Sequence, residues 1–192
     1  MEGRKMARLF IVFGPSGVGK SSVVAAALAN DTCARVKQIV TCTTRKPRPG
    51  EMDGVHYHFV STQDFERYIA QGELIEWSKA YGTYYGLLRS SVENVLTQGV
   101  SAVVLLDRAG VKAAKQEYPS AQVVFLLPPS LNALKERLMT RGANTTTEID
   151  VRLILAEQEL AAENKAPLAD FAVKNDVFEV AVQAMRTIVC EK

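Results

Sequence analysis

The eight residues Gly14-Pro15-Ser16-Gly17-Val18-Gly19-Lys20-Ser21 follow directly on the apolar run Leu9-Phe10-Ile11-Val12-Phe13. The spacing is G-x-x-x-x-G-K-S/T. After it comes Lys20-Ser21-Ser22-Val23-Val24-Ala25-Ala26-Ala27-Leu28-Ala29, which suits a helix. Together these predict a strand, a phosphate-cradling loop and a helix over Lys20 to Asn30. Glycines at 14, 17 and 19 let the backbone curl so that its N–H groups converge on one anion. Lys20 is placed to reach terminal phosphates, and the Ser21 hydroxyl to ligate the Mg²⁺ they carry. The positive end of the helix faces the same anion.

The remaining chain alternates short apolar runs with helix-period segments. Strands are expected at Ser101 to Leu106, Ala121 to Leu127 and Asp170 to Lys174. Helices are expected at Ala109 to Tyr118, Leu131 to Thr140 (capped by Ser130) and Val177 to Val189. Apolar strands without a polar face imply a parallel sheet covered on both sides. In such sheets ligands sit at the carboxyl ends of the strands, where Gly14 to Ser21 and Asp107 fall.

Two stretches break the rhythm. Thr41 to Ser91 holds Pro47, Pro49 and several glycines, with five of the six tyrosines: Tyr57, Tyr68, Tyr81, Tyr84 and Tyr85. Alternating segments at Val55 to Val60 and Leu74 to Tyr81 predict a small, mostly antiparallel insertion with one helix, Gln63 to Gln71. The second stretch, Arg141 to Asp150, reads as a polar connector between helices that carry arginines, suited to a mobile lid. The predicted organisation is one α/β domain: a core at 1–40 and 92–192, an insertion at about 41–91 and a helical lid at about 137–155.

A chain of 192 residues with 47% hydrophobic and 23% charged residues has ordinary globular proportions. A net charge of +2 gives no argument for a nucleic-acid or membrane surface. The apolar run after the basic N-terminus is too short for a signal peptide, and no segment is long enough to span a bilayer. Cys33, Cys42 and Cys190 lack metal-ligand spacing and are expected to be free thiols in a reducing compartment. A soluble, cytoplasmic protein is therefore expected.

The insertion opens with Thr43-Thr44-Arg45-Lys46-Pro47-Arg48-Pro49-Gly50-Glu51, where two arginines held by prolines form a fork for a second anion. Glu76-Trp77 and Tyr84-Tyr85-Gly86 follow, with tyrosines able to offer hydroxyls to phosphate and ring faces to a base.

With these pieces the chain resembles the guanylate kinases, P-loop kinases that transfer the γ-phosphoryl group of ATP to GMP. Further matching segments are Asp53-Gly54-Val55-His56-Tyr57-His58-Phe59, Gly72 to Trp77, Leu126 to Ser130 and Arg137 to Gly142. The resemblance implies an ATP site at Gly14, Pro15, Ser16, Gly17, Val18, Gly19, Lys20, Ser21, Ser22 and Asn175, with Ser21 on Mg²⁺. It implies that Arg45, Arg48, Tyr57 and Tyr85 hold the GMP phosphate. Thr41, Glu76 and Asp107 then fall on the guanine side, with Asp107 near the metal shell. A carboxylate at Glu76 offers two acceptors to the adjacent N1–H and amino donors of guanine, a pair adenine lacks. Lys20, Arg137, Arg141 and Arg152 match the groups that stabilise the transferring phosphoryl group. The implied partners are ATP and GMP, with no nucleic acid or membrane, in a monomer or homodimer.

Three positions depart from the family pattern. An acid is typical two residues before Asp107, where this chain has Leu105. The segment after Asp107 usually reads x-Gln-Gly and here is Arg108-Ala109-Gly110. A hydroxyl residue commonly follows Tyr-Tyr-Gly, and here it is Leu87. One lost hydroxyl contact costs about 0.5–1.5 kcal/mol of binding; equally, Leu87 and Leu105 can simply pack. Two other readings stay open: an inactive guanylate-kinase-like binding module, and a kinase acting on another phosphorylated small molecule such as a ribose bisphosphate.

Overall fold

The structure is a computed structural model, and it describes residues 6–80, 82–140 and 146–191. Tyr81, Arg141 and the Asn144-Thr145 part of the polar connector lie outside the described residues.

Strand β1 (Leu9–Phe13) is buried at all five positions because both of its faces are covered. Phe10 and Val12 point into one core cluster, while Leu9, Ile11 and Phe13 point into the other. The first cluster is closed by α1 (Lys20–Leu28) and α7 (Phe178–Arg186), through Val23, Val24, Ala181 and Met185. The second is closed by α3 (Arg89–Leu96) and α4 (Arg108–Glu117), through Val92, Val111 and Ala114. The other strands of this sheet are β2 (Val36–Ile39), β7 (Ser101–Leu105), β8 (Gln122–Leu127) and β9 (Phe171–Lys174). Their order is β2-β7-β1-β8-β9, and every pairing is parallel. The carboxyl ends of β1, β7 and β8 therefore open on one edge, as expected for a doubly covered sheet.

The insertion builds a second sheet from β3 (Cys42–Thr43), β4 (His58–Phe59), β5 (Leu74–Ala80) and β6 (Thr83–Leu88), in the order β4-β3-β6-β5. Its β3–β6 and β5–β6 pairings are antiparallel, and β3–β4 is parallel. Helix α2 (Thr62–Ala70) begins at Ser61, whose hydroxyl accepts from the Asp64 N–H at 3.0 Å. Phe65 of α2 is fully buried and stacks on Tyr84 at 5.0 Å between centroids.

The four expected core strands form, but the sheet has a fifth, the edge strand β2, and α3 is likewise an element not placed from the sequence; further corrections are local. Helix α1 stops at Leu28 because the Asn30 side chain accepts from Thr32 N–H and caps a separate short turn, Asp31–Cys33. Helix α4 starts before Ala109 because Asp107 caps it, its carboxylate accepting from Gly110 N–H at 2.7 Å. Ser130 caps α5 (Leu131–Thr140) through the Ala133 N–H at 3.1 Å, as predicted. The polar stretch through Asp150 is not all connector, because α6 (Thr146–Lys165) begins inside it. Leu87 is fully buried and Leu105 half-buried, both packed against the core clusters. No helix among the described residues is long and apolar enough to cross a membrane.

The expectation of three free thiols is overturned. Cys33 and Cys190 form a disulfide across 157 residues of sequence, with Cα atoms 5.0 Å apart. Only packing of the Asp31–Cys33 turn against the C-terminal turn Thr187–Glu191 brings them together, so nothing in their spacing reveals the pair. Cys42 remains a buried free thiol, pushed up to about 11 chiefly by burial.

Air-purified protein, denatured without reductant, is expected to titrate one thiol, and three after reduction. Reduction is expected to remove about 2–5 kcal/mol of stability, because the bridge closes a long loop. Three titratable thiols before reduction would refute the bridge.

Candidate functional site

The loop between β1 and α1 is fixed by close approach. Gly14 has φ 142° and lies on the Leu126 carbonyl of β8, so a Cβ there would overlap that carbonyl. Gly17 has φ 85°, and a Cβ would stand 2.7 Å from Leu138 Cδ2 of α5. Val18 is fully buried, and its N–H donates to the Pro15 carbonyl at 3.2 Å. Gly19, at φ 99°, is the N-cap of α1 and carries no side-chain cap. The first amides of α1 are thus left to an anion. Ser21 and Ser22 are exposed in the first helical turn, and Ser16 is exposed at the loop. Lys20 Nζ donates to the Gly14 carbonyl at 2.5 Å and the Pro15 carbonyl at 3.1 Å. Burial lowers the Lys20 pKa, and the carboxylates of Glu159 and Asp107 oppose that shift.

Asn175, just after β9, is buried, and its Nδ2 donates to the Val18 carbonyl at 2.7 Å. Arg137 of α5 donates from Nη2 to the Asn175 carbonyl at 2.9 Å. Arg137 Nη1 and Asn175 Oδ1 are buried without a hydrogen-bond partner among the described residues. A donor and an acceptor therefore stand unsatisfied beside the loop, which is the pattern of a site built for a polar ligand. Helices α5 and α6 pack through Leu134, Leu138, Ile149 and Ala156, so α6 is seated against the loop through α5. Arg152 is half-buried on α6.

Asp107 links the two halves of the site. Its charge acts on Lys20 and also on Glu76 of β5. Glu76 is half-buried, and its carboxylate accepts no hydrogen bond from the described residues. Burial first, and Asp107 second, push its pKa up to about 7. Arg45 forms a two-point ion pair with Glu51, Nη1–Oε2 and Nη2–Oε1 both at 2.9 Å. That pair holds the Glu51 carboxyl down at about 2. The Arg45 guanidinium lies 5.5 Å over the Tyr57 ring, and Tyr57 meets Tyr85 edge-on at 6.1 Å. Thr43 and Thr44 tie this loop to β6 through the backbone of Tyr84, at 2.8 and 2.9 Å.

The structure thus brings Arg45, Tyr57 and Tyr85 together, and separately Lys20, Arg137 and Asn175. Arg48 stands at the edge of the first group: its side chain is exposed, its N–H donates to the Glu51 carboxylate at 2.8 Å, its carbonyl accepts the Glu51 N–H at 3.0 Å, and its charge acts on Tyr57 and Glu51. Thr41 is half-buried and receives the His58 N–H on its carbonyl at 2.9 Å. Two contributors, Glu51 and Glu159, are not among the expected site residues, and Arg108, marked in the sequence only as a departure from the family pattern, gains a role in the fold. Glu51 orients Arg45. Glu159 of α6, raised chiefly by burial, faces Lys20 and Asp107; its spacing of seven from Arg152 is the signal that could have found it. Arg108 clasps the end of α6, binding the Glu163 carboxylate and the carbonyls of Ala162 (3.1 Å) and Ala166. Glu163 also accepts the N–H groups of Leu168 and Ala169, both at 2.9 Å.

Residues suited to a divalent ion are few. Ser21 offers an exposed hydroxyl in the first turn of α1, and among the described residues no group of three or more His, Cys, Asp or Glu could hold a metal. Such a donor set fits Mg²⁺, which binds through one or two protein oxygens, phosphates and water.

Residues 6–192 match the family model described as guanylate kinase. The chain is 40% identical over 189 residues to the guanylate kinase of Symbiobacterium thermophilum, covering 98% of this chain and 87% of that protein. It is 41% identical to that of Shewanella oneidensis, covering 94% and 86%. The fold is similar to the crystal structure of guanylate kinase from Anaplasma phagocytophilum, with TM-score 0.72 at 24% identity, over 95% of this chain and 84% of that one.

Arg108→Ala is expected to leave the buried Glu163 without its cation and to cost about 3 kcal/mol. For a chain of this size that lowers Tm by roughly 6–12 °C. An unchanged thermal midpoint would show that the clasp contributes nothing.

Proposed function

The chain belongs to the guanylate kinase family, and from that premise we propose that it transfers the γ-phosphoryl group of ATP to GMP, releasing ADP and GDP. The observation that carries the acceptor assignment is Glu76. A half-buried carboxylate that accepts no hydrogen bond from the described residues is costly unless a ligand supplies donors. The N1–H and amino group of guanine are two such donors side by side.

The roles follow from charge and reach. The amides of Gly14 to Ser22 would cradle the ATP phosphates, with Lys20 reaching the terminal ones. Asn175 would hold the loop through the Val18 carbonyl and offer ATP its Oδ1, which has no hydrogen-bond partner among the described residues. Mg²⁺, held by Ser21, would supply neutralisation of charge on the β- and γ-phosphates. Arg45, held by Glu51, with Arg48, Tyr57 and Tyr85 would bind the GMP phosphate, and Thr41, Glu76 and Asp107 would serve the base. An oxygen of that phosphate attacks the γ-phosphorus while the bond to the β–γ bridging oxygen breaks. The attacking oxygen is already anionic, so no strong general base is required. Arg137, Arg141 and Arg152 would stabilise the charge on the transferring group. We place this activity in the cytoplasm on the family assignment alone, since the Cys33–Cys190 bridge removes the free-thiol argument for a reducing compartment, and in a monomer or homodimer without nucleic-acid or membrane partners.

ADP release measured with GMP, AMP, UMP and a ribose bisphosphate tests the proposal. GMP is expected to be the preferred acceptor. Turnover of GMP no faster than AMP would overturn the assignment, and a faster ribose bisphosphate would favour the other-acceptor reading. No turnover with any acceptor would favour a binding module.

Acid is expected to weaken GMP use early. Guanine recognition needs the Glu76 carboxylate ionised, and with its pKa near 7 that form is lost as pH falls through neutrality. KM for GMP is expected to be about tenfold higher at pH 6 than at pH 8, by the change in ionised fraction. The GMP phosphate itself takes up a proton near pH 6. Glu76→Gln separates the two: it is expected to raise KM for GMP more than KM for ATP and to flatten the profile between pH 8 and pH 7. An identical profile in that variant would remove Glu76 from base recognition.

A further inference from the structure

Glu76 stands where it does because of two backbone features. The β5–β6 register pairs Leu74 with Leu88 but Glu76 with Leu87, so β5 carries one extra residue, Ile75. Such a bulge twists a strand and re-aims the side chain that follows it. Glu76 is thereby turned toward the first turn of α4.

There it meets Gly110. This residue is buried, and its N–H is taken by the Asp107 carboxylate at 2.7 Å. A Cβ on Gly110 would lie 3.3 Å from both Cδ and Oε2 of Glu76, and 3.2 Å from Leu106 Cβ. Those distances are shorter than comfortable carbon and oxygen contacts. On the facing strand Leu87 is fully buried. The Glu76 carboxylate is thus located by packing alone, between a bare helix backbone and an apolar strand, with no described residue donating a hydrogen bond to it.

We propose that Gly110 is a specificity-determining positioning residue: the absence of a side chain at this point of α4 sets where the Glu76 carboxylate stands, and so whether both of its oxygens meet the two adjacent donors of guanine. The inference rests on the GMP-kinase reading above and adds to it a residue that touches neither substrate. Its reasoning is steric. Leu106 Cβ is fixed to the backbone before α4 and cannot yield, whereas the carboxylate is the free end of a side chain. A methyl group at 110 therefore moves the carboxylate and, because Leu106 Cβ at 3.2 Å cannot give way, also shifts the start of α4 with Asp107 by a few tenths of an ångström. Because Ala suits a helix better than Gly, the substitution has no intrinsic helical penalty. Stability and recognition are then expected to part company.

The test is steady-state kinetics of the wild type, Gly110→Ala and the double variant Gly110→Ala/Glu76→Asp. GMP and IMP are the acceptors; IMP keeps N1–H but lacks the 2-amino group. Gly110→Ala is expected to raise KM for GMP by at least about tenfold, the scale of a lost buried hydrogen bond to charge. KM for ATP should stay within about twofold, with the thermal midpoint little changed and the preference for GMP over IMP narrowed. The shorter carboxylate of the double variant makes room for the methyl group and is expected to restore part of the GMP preference. An unchanged KM and GMP/IMP ratio in Gly110→Ala would overturn the inference. So would equal losses toward GMP, IMP and ATP with no recovery in the double variant, which would mark general damage to α4. A wild type that does not prefer GMP in the acceptor panel would instead bring down the underlying reading.

Discussion

The hydrogen bond from Asn175 Nδ2 to the Val18 carbonyl joins the last strand of the sheet to the glycine loop that leaves the first. It is a buried bond between chain segments 157 residues apart in sequence. Around it the loop is pressed from three sides: by the Leu126 carbonyl at Gly14, by Leu138 at Gly17 and by Asn175 at Gly19. The glycines are therefore more than permissive turn residues. They are the places where neighbouring elements touch backbone directly, leaving the amides on the remaining side to point outward. Helix α5 is seated by the same contacts, and α6 through α5, so the arginines these helices carry inherit their positions from the loop.

A second layer of organisation runs through Asp107. It ends the connection from β7, caps α4, and its charge acts on both Lys20 and Glu76. Donor and acceptor sides of the site thus share one electrostatic neighbour. The substitutions at 105 and 87 read differently in this setting. Leu87 is deep core, and its partner across the sheet is Glu76. What the chain loses there in polar contact it replaces with desolvation, which makes the carboxylate more dependent on donors from outside.

The β1–loop–α1 unit was legible in sequence because its local chemistry and its burial agree. Continuous apolar strands, an N-capping Ser130 and the motif glycines each carry their own signal. The insertion was legible as a region and not in detail. Strands β3 and β4 are two residues long, too short for a period-two pattern, and they exist because β6 pairs with β3. Helix α6 was missed in part because it has no clear apolar face of its own: Val151, Ile154 and Leu155 are exposed while Ile149 and Ala156 are buried. The Cys33–Cys190 bridge, the Arg45–Glu51 pair and the Arg108 clasp share a cause for their invisibility. Each is a meeting of side chains that only tertiary packing or a particular loop shape brings within reach.

The clasp at Arg108 has a mechanical side. Helix α6 runs 20 residues, from Thr146 to Lys165, which at helical rise is a rod about 30 Å long. It is gripped near its C-terminal end, where Arg108 binds Glu163 and the carbonyls of Ala162 and Ala166. It is held a second time toward its N-terminal end, where Ile149 and Ala156 pack on Leu134 and Leu138 of α5. A rod fixed at two places along its length is a strut: Arg152, between Ile149 and Ala156, and Glu159, between Ala156 and Glu163, each have an anchored contact on either side.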